Sequence, residues 1–238
     1  MKTLAILPVK NFGEAKQRLS DLLGHGSREA LAQAMFSDVL AALRKVKGLD
    51  AIAVVTGDAR AESAAGGARV IVLRDRNQSG QSDATRIGIA HAAECHFERV
   101  LLVPGDTPLI DPVEIDGLLT RAATDEQDAV IVPDRAGTGT NALLLAPPDA
   151  IAPSFGTGSL ERHVEAATDA GIRFRVEGVR SLMHDVDTPD DLADLGAVLD
   201  ELRGVAPRTR GALNQLDRSK ACGPMARRRP VVETTATT

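Results

Sequence analysis

The sequence predicts an α/β domain with a mostly parallel sheet and helices on both faces of it. Short aliphatic runs alternate with longer segments of helical spacing, which is the pattern of parallel strands joined by crossover helices. The run at residues 100–103 has four consecutive aliphatic residues followed by Pro-Gly, as expected for a strand buried on both faces. The 238 residues suffice for a substantial core in one domain.

The elements follow one another in a regular order. Apolar runs predict strands at residues 3–9, 50–56, 69–73, 99–103, 129–133, 142–146 and 172–176. Apolar residues at helical spacing predict helices at residues 27–46, 59–65, 83–95, 112–123, 159–170 and 189–202. Ser27 is the expected N-cap of the first helix, and Thr188, Pro189 and Asp191 resemble a capping box before the last.

The last part of the chain has a different composition. From Gly204 onward the helical periodicity is lost and Arg and Lys increase, ending with Arg227, Arg228 and Arg229. We therefore expect a folded domain over residues 1–203 and a disordered basic tail over residues 204–238. The tail is expected to be an extension without function, with contact to nucleic acid or a membrane as the alternative.

Composition excludes several classes of function. The formal net charge is −5, and the chain has no Trp, no Tyr and only five Phe, so it lacks the aromatic platforms on which single-stranded nucleic acid stacks. Cys95 and Cys222 have no metal-ligand spacing and form no framework of pairs, which indicates reduced thiols. The first apolar run is too short for a signal peptide, and no run approaches membrane-spanning length. We expect a cytoplasmic protein without a nucleic-acid or membrane partner.

Two acidic segments are candidates for metal or substrate binding. Asp106 follows the central strand, at the sheet edge where open α/β sheets bind ligands. Asp185 and Asp187 precede the last helix, and capping does not explain them. If the two segments meet, their carboxylates could hold a divalent ion against a nucleoside triphosphate. The alternative for Asp106 is a helix cap or turn former.

Cationic and glycine-bearing loops complete this pattern. Lys10, Lys16 and Arg18 follow the first strand and suit a triphosphate, although they could also be solvated charges. The loops at residues 135–141 and 155–159 combine glycine with hydroxyl residues, so their backbone N–H groups could cradle a phosphate or carboxylate. No Walker loop and no Gly-x-Gly-x-x-Gly motif is present.

Five motifs in order resemble a known family. They are Pro8-Val9-Lys10 with Ala15-Lys16-Gln17-Arg18-Leu19, Pro104-Gly105-Asp106-Thr107-Pro108-Leu109, Gly137-Thr138-Gly139-Thr140-Asn141-Ala142-Leu143, Phe155-Gly156-Thr157-Gly158-Ser159 and Asp185-Val186-Asp187-Thr188-Pro189-Asp190-Asp191-Leu192. Over residues 1–203 the chain resembles the guanylyltransferases that make the phospholactyl or phosphoenolpyruvyl nucleotide of coenzyme F-420 biosynthesis, which are related to the molybdenum-cofactor guanylyltransferase. The resemblance implies a single Rossmann-like, doubly wound domain of the nucleotide-diphospho-sugar transferase type.

The resemblance also implies a reaction and its residues. GMP would pass from GTP to phosphoenolpyruvate or 2-phospho-L-lactate, with release of pyrophosphate and with Mg²⁺ as cofactor. By similarity, the catalytic residues would be Lys10, Lys16, Arg18 and Asp106, and the metal carboxylates would be Asp106 and Asp187 rather than Asp185. The nucleotide would be bound by Pro8, Lys10, Gly80, Ser82 and Asp106. The acceptor would be bound by Thr140, Gly156 and Ser159. Arg162 and His163 are expected either to reach the acceptor carboxylate or to lie on a solvated helix face.

One departure and several alternatives stay open. Where relatives commonly carry Gly-Leu-Asn-x-Ala, this chain has Gly80-Gln81-Ser82-Asp83-Ala84 after Asn77-Gln78-Ser79, which leaves open the preference for guanine and an acceptor such as 3-phosphoglycerate. Transfer to a molybdopterin or a sugar phosphate, and a silent nucleotide-binding domain, are the rival interpretations. A downstream transferase that consumes the product is a candidate partner, and the sequence does not indicate the oligomeric state.

Overall fold

The computed structural model describes residues 1–67, 69–76 and 80–221. The strands are β1 Thr3–Val9, β2 Ala51–Thr56, β3 Val70–Arg74, β4 Arg99–Leu102, β5 Ala129–Pro133, β6 Thr140–Leu145 and β7 Phe174–Val176. The helices are α1 His25–Leu43, α2 Ala59–Ala64, α3 Gln81–Glu94, α4 Pro112–Thr124, α5 Ser159–Asp169, α6 Pro189–Glu201 and α7 Pro207–Ala221. Among the helices of these residues, none is long and apolar enough to cross a membrane.

All seven strands form one sheet in the order β3-β2-β1-β4-β6-β5-β7. β1 pairs in parallel with both β2 and β4, and β7 is parallel to β5, whereas β6 is antiparallel to both of its neighbours. The reversal of β6 was not predicted, and its cause is the short connection from β5. Residues 134–139 can form a hairpin but are too few for a parallel crossover. The prediction of a mostly parallel α/β sheet is confirmed.

Apolar layers cover both faces of the sheet, so β1 is buried on both sides. Ala5 and Leu7 pack in the cluster that contains Phe36 of α1, whereas Leu4 and Ile6 pack in the cluster on the α3 side. Gly88 lets α3 approach β1, since a Cβ there would lie 2.5 Å from the Ile6 side chain. The central strands are thus fixed on both sides, and their carboxyl ends form a rigid edge.

The helix ends agree only in part with the predicted caps. Thr188 and Asp191 form the expected capping box at α6, with the Asp191 N–H donating to Thr188 Oγ1 at 3.2 Å and the Thr188 N–H donating to Asp191 Oδ2 at 2.8 Å. The prediction of Ser27 as the N-cap of α1 is wrong. The Ser27 and Arg28 N–H groups already bond the Gly24 carbonyl, so the helix begins at His25 with Gly24 as its cap.

The expectation of disorder from Gly204 is wrong for residues 207–221, which form α7. Buried Asp38 of α1 accepts hydrogen bonds from the Thr209 N–H and hydroxyl, both at 2.8 Å, and so binds the first turn of α7. Leu213 and Leu216 pack on the apolar cluster between α1 and α6. Helix α7 is polar in composition, and it is ordered through these contacts with distant residues. Residues 222–238, with Cys222 and the three arginines, lie outside the described residues.

Candidate functional site

A cleft of about 390 Å³ opens at the carboxyl ends of β1 and β4. The chain winds from β1 toward β2 and β3 and then returns to place β4 on the other side of β1, so the cleft lies at the switch point where open α/β sheets bind ligands. The end of β1 and the loop after it, part of α1, the start of α3 and the turn after β4 line it, together with Asp75 and Asp187.

The loop after β1 directs Lys16 into this cleft. Lys16 has a φ of 56°, a left-handed conformation that is uncommon for a residue with a side chain. Contacts on either side hold the loop. The Phe12 N–H donates to Asp58 Oδ2 at 2.9 Å, and Arg28 donates to the Ala15 carbonyl at 3.3 Å. Buried Leu19 anchors the far end. The backbone conformation of Lys16 is therefore imposed by its surroundings.

The Lys16 ammonium lies between the two predicted acidic sites. Its Nζ is 2.5 Å from Asp106 Oδ2 and 3.1 Å from Asp187 Oδ1, and its side chain is only 7% exposed. Burial opposes the charge, but the attraction of both carboxylates outweighs it and raises the pKa of Lys16 above its ordinary value. Arg18 is exposed and approaches Asp187 at 3.9 Å. The sequence-predicted cationic and acidic groups thus form one charged cluster.

Asp187 is positioned by a network that the sequence did not reveal. The buried Asn141 amide donates to the Leu182 carbonyl at 2.8 Å and to Asp185 at 3.0 Å, so β6 holds the segment that leads to Asp187. Burial, together with the charges of Asp106 and Asp187, raises the pKa of Asp185 above its ordinary value. Asp185 therefore helps to hold this segment in place, while Asp187 lines the cleft.

The structure brings most of the predicted site residues together. Pro8, Lys10, Lys16, Arg18, Gly80, Asp106 and Asp187 all line the cleft. Gln81 and Asp75 line it as well, and sequence reasoning had not assigned either. Within the described part of the chain, Ser82, Thr140, Gly156 and Ser159 are not in this lining. Asn77, Gln78 and Ser79 lie outside the described residues.

The predicted acceptor residues form a second group beside the cleft. Ser82 joins the two groups, because its hydroxyl accepts a 3.0 Å hydrogen bond from the Phe155 N–H at the loop that precedes α5. Gly156 in this loop has a φ of 110°, a conformation that favours glycine. Ser159 begins α5 with a buried hydroxyl for which the described residues supply no hydrogen-bond partner. Such a group is suited to a ligand oxygen.

The Arg162 and His163 side chains both form hydrogen bonds with protein atoms. The Arg162 guanidinium is bound to loop atoms, with 2.8 Å hydrogen bonds to the hydroxyl and the carbonyl of Ser154. His163 is completely buried, and both ring nitrogens lie at hydrogen-bond distance from protein atoms. The expectation of a solvated face is therefore wrong for His163. Only its place one helical turn after Ser159 hinted at burial on the same side of α5.

The cluster can neutralise a polyphosphate and leaves the reacting groups accessible. Lys10, Lys16 and Arg18 supply three cations at one end of β1, and Asp106 with Asp187 supplies oxygen ligands of the kind that a hard divalent cation prefers. Among the described residues no Ser-His-Asp or Cys-His arrangement lines the cleft. The arrangement therefore fits transfer chemistry on phosphate groups better than nucleophilic catalysis by a side chain.

Comparisons with known proteins agree with this geometry. The family described as guanylyl transferase CofC-like matches residues 3–216. A phosphoenolpyruvate guanylyltransferase from Conexibacter woesei is 48% identical over 92% of this chain and 98% of its own length. A 2-phospho-L-lactate guanylyltransferase from Methanothermobacter thermautotrophicus is 34% identical over 82% of this chain and 84% of its own length.

Solved structures show the same fold at low sequence identity. A putative nucleotide-diphospho-sugar transferase from Desulfovibrio desulfuricans has a TM-score of 0.70 at 19% identity, covering 92% of this chain and 96% of its own. A nucleotidyl transferase from Methanothermobacter thermautotrophicus has a TM-score of 0.62 at 16% identity, covering 84% and 99%. The predicted nucleotide-diphospho-sugar transferase type of fold is confirmed. The chain is a nucleotidyltransferase and belongs to the guanylyl transferase CofC-like family.

Proposed function

We propose that this enzyme transfers GMP from GTP to phosphoenolpyruvate and releases pyrophosphate, with 2-phospho-L-lactate as the alternative acceptor. The observation that carries the proposal is the Lys16 ammonium between Asp106 and Asp187 in a cleft at the sheet's switch point. The names of its relatives supply the guanylyl group and the three-carbon acids. The name of the 48% identical relative favours phosphoenolpyruvate.

We propose Asp106 and Asp187 as the ligands of a Mg²⁺ ion. Carboxylate oxygens suit this hard cation. The two side chains are also close enough to share one positive charge, because both lie within 3.1 Å of the Lys16 ammonium. No group of three potential ligands among His, Cys, Asp and Glu occurs in the described residues, so triphosphate oxygens and water would complete the coordination. When bound, the ion would offset negative charge on the phosphates.

The proposed reaction needs no general base from the protein. A phosphate oxygen of the acceptor, already ionised at neutral pH, attacks the α-phosphorus of GTP while the bond to the pyrophosphate leaving group breaks. Lys10, Lys16 and Arg18 hold the triphosphate and stabilise the charge that develops on it and on the leaving group. Most of the protein's contribution is then positioning and electrostatic stabilisation, which matches a cleft lined by charged groups rather than by a nucleophile.

The second group of residues is proposed to hold the acceptor. Thr140, Ser159 and the backbone at Gly156 lie beside the cleft. The hydrogen bond from the Phe155 N–H to Ser82 connects this group to the start of α3, which lines the cleft. Ser159 offers a buried hydroxyl at the N-terminal end of α5, where a helix favours an anion. Pro8, Gly80 and Gln81 are proposed to contact the nucleotide because they line the cleft.

The proposal extends to the cellular context. We propose that the reaction belongs to coenzyme F-420 biosynthesis and takes place in the cytoplasm. The product joins guanylate to the acid through a phosphoanhydride bond, so a downstream transferase that consumes this bond is the partner we propose. The relatives' names support the reaction itself.

The test is pyrophosphate release from GTP and Mg²⁺ with phosphoenolpyruvate, 2-phospho-L-lactate and 3-phosphoglycerate in parallel, with ATP and CTP as nucleotide controls. We expect release with GTP and phosphoenolpyruvate. Saturable GTP binding without release with any acid, even when the downstream transferase is added, would indicate a silent domain and contradict the proposal.

A matched pair of substitutions tests the site. Asp106→Asn should lower kcat by about 100-fold or more, the usual loss on removing one group that stabilises transition-state charge. Asp111→Asn, five positions later, is the control, because Asp111 caps α4 and Asn caps a helix equally well. Near wild-type turnover by Asp106→Asn would refute the assignment of Asp106.

A further inference from the structure

His163 is a buried residue with defined partners for both of its ring nitrogens. The Ser154 N–H lies 2.8 Å from Nε2, and Thr140 Oγ1 lies 3.0 Å from Nδ1. The ring also packs edge-on against Phe155, with 5.4 Å between the centroids. His163 therefore joins the start of β6, where Thr140 lies, to the loop before α5.

These contacts determine which nitrogen carries the proton. A backbone N–H can only donate, so Nε2 must accept and cannot be protonated. Burial, with a smaller effect of the Arg162 charge, lowers the pKa of His163 to about 4, so the ring is neutral near neutral pH. A neutral imidazole has one N–H. The proton is therefore on Nδ1, which donates to the Thr140 hydroxyl.

The direction of this hydrogen bond leaves the hydroxyl hydrogen of Thr140 available. A hydroxyl that accepts from Nδ1 can use its own hydrogen only toward a different acceptor. In the described part of the chain, the hydrogen bonds of the Thr140 side chain involve His163 alone. Ser159, one turn before His163 on α5, has a buried hydroxyl that lacks a partner among the described residues. Two donors with free hydrogens thus occur in the group of residues assigned to the anionic acceptor.

We propose that His163 is a positioning residue for the acceptor substrate, which makes the Thr140 hydroxyl a hydrogen-bond donor toward a carboxylate or phosphate oxygen of the three-carbon acid. This inference rests on the proposed function. It assigns His163 no contact with substrate. The acceptor and the nucleotide then have separate binding residues. Lys10, Lys16 and Gly80 line the cleft, whereas Thr140 and His163 do not.

Two substitutions separate the contacts of His163. The amide of Asn branches at the position of Nδ1, so His163→Asn can still donate to Thr140 but loses the bond from Ser154. The amide of Gln reaches the position of Nε2, so His163→Gln can still accept from Ser154 but loses the donor to Thr140. We expect His163→Gln to raise the KM of phosphoenolpyruvate by about 10-fold to 100-fold, the range for losing one hydrogen bond to a charged group. We expect a smaller rise for His163→Asn and an unchanged KM for GTP in both.

A double substitution tests whether His163 acts through Thr140. Thr140→Val should raise the same KM to a similar extent, and adding His163→Gln should raise it little further, because both changes remove one interaction. Thr168→Val is the matched control on the exposed side of α5, where the hydroxyl already donates to the Val164 carbonyl at 2.8 Å. An additive double variant, or a larger effect of Asn than of Gln, would overturn the proposal.

The tautomer can be measured in the wild-type protein by nitrogen NMR of the histidine rings, with the His163 ring signals assigned through their connectivity to its backbone resonances. We expect a protonated Nδ1 and an unprotonated Nε2. A protonated Nε2 would overturn the inference even if the variants do not fold. If wild-type enzyme releases no pyrophosphate with any acid, the proposed function fails instead. If it is active and His163→Gln keeps the wild-type KM for the acid, the inference alone fails.

Discussion

Acid should destabilise this protein in part through His163. The ring is completely buried, and its pKa falls from the ordinary 6.5 to about 4 in the folded state. Between these two pKa values the unfolded chain binds a proton that the folded chain does not, so stability falls as pH decreases through this window. With these pKa values, linkage lowers the free energy of unfolding by about 2 kcal/mol between about pH 8 and about pH 5. The total decrease approaches about 3 kcal/mol below about pH 4.

The assay is urea unfolding across this pH range for wild type and His163→Gln. Other groups titrate in both proteins, so the difference between their pH dependences isolates His163. We expect the variant to be less stable at neutral pH, because it loses a buried hydrogen bond, and to lose about 2 kcal/mol less than wild type on acidification. His25→Gln is the matched control for replacing a histidine, since His25 lies exposed at the start of α1.

Parallel pH profiles for wild type and His163→Gln would refute this reasoning. They would mean that the buried ring accepts its proton at the same pH as in the unfolded chain. That result would also remove the argument that the ring is neutral, and with it one support for the Nδ1–H tautomer. A steeper loss in the variant than in wild type would contradict the account equally.

Substitutions at three further positions test contacts that support the site and the fold. Asn141→Leu should lower the free energy of unfolding by about 2 to 3 kcal/mol, because it leaves the Leu182 carbonyl and Asp185 without their shared donor. It should also lower kcat/KM by displacing Asp187. Chemical denaturation measures the first effect and steady-state kinetics the second. Asp38→Ala should cost about 3 kcal/mol by releasing the first turn of α7, and unchanged stability would mean that this helix contributes nothing to the fold. Thr188→Ala should cost about 1 kcal/mol in thermal unfolding, whereas Thr188→Ser should keep the cap and most of that stability.

Local patterns were sufficient for much of the fold. The aliphatic runs of β1 and β4 are buried strands, and the capping box at Thr188 depends on residues only three positions apart. Asp106 could be placed at the sheet edge because it directly follows a central strand. The motifs after β1 and before α6 likewise predicted that cations and carboxylates would meet, which Lys16, Asp106 and Asp187 confirm.

The features that were missed depend on contacts between distant residues. Helix α7 is polar, and its first turn is bound by Asp38, which lies 171 positions before Thr209. The burial of His163 and its pairing with Thr140 depend on how α5 packs against β6, which helical spacing alone does not specify. Asn141 was read only as part of a glycine loop, although it fixes the segment before Asp187. The start of α1 at His25 rather than after Ser27 shows that a good capping residue can also lie inside the first turn.

The measurement that tests the central claim most directly follows the α-phosphorus of GTP. The enzyme is incubated with phosphoenolpyruvate and GTP carrying radioactive phosphorus at the α-position, and in parallel with GTP labelled at the γ-position. Attack on the α-phosphorus predicts α-label in an adduct of guanylate and the acid, and γ-label in pyrophosphate. Release of γ-label as free phosphate, or its appearance on the acid, would contradict guanylyl transfer at this site.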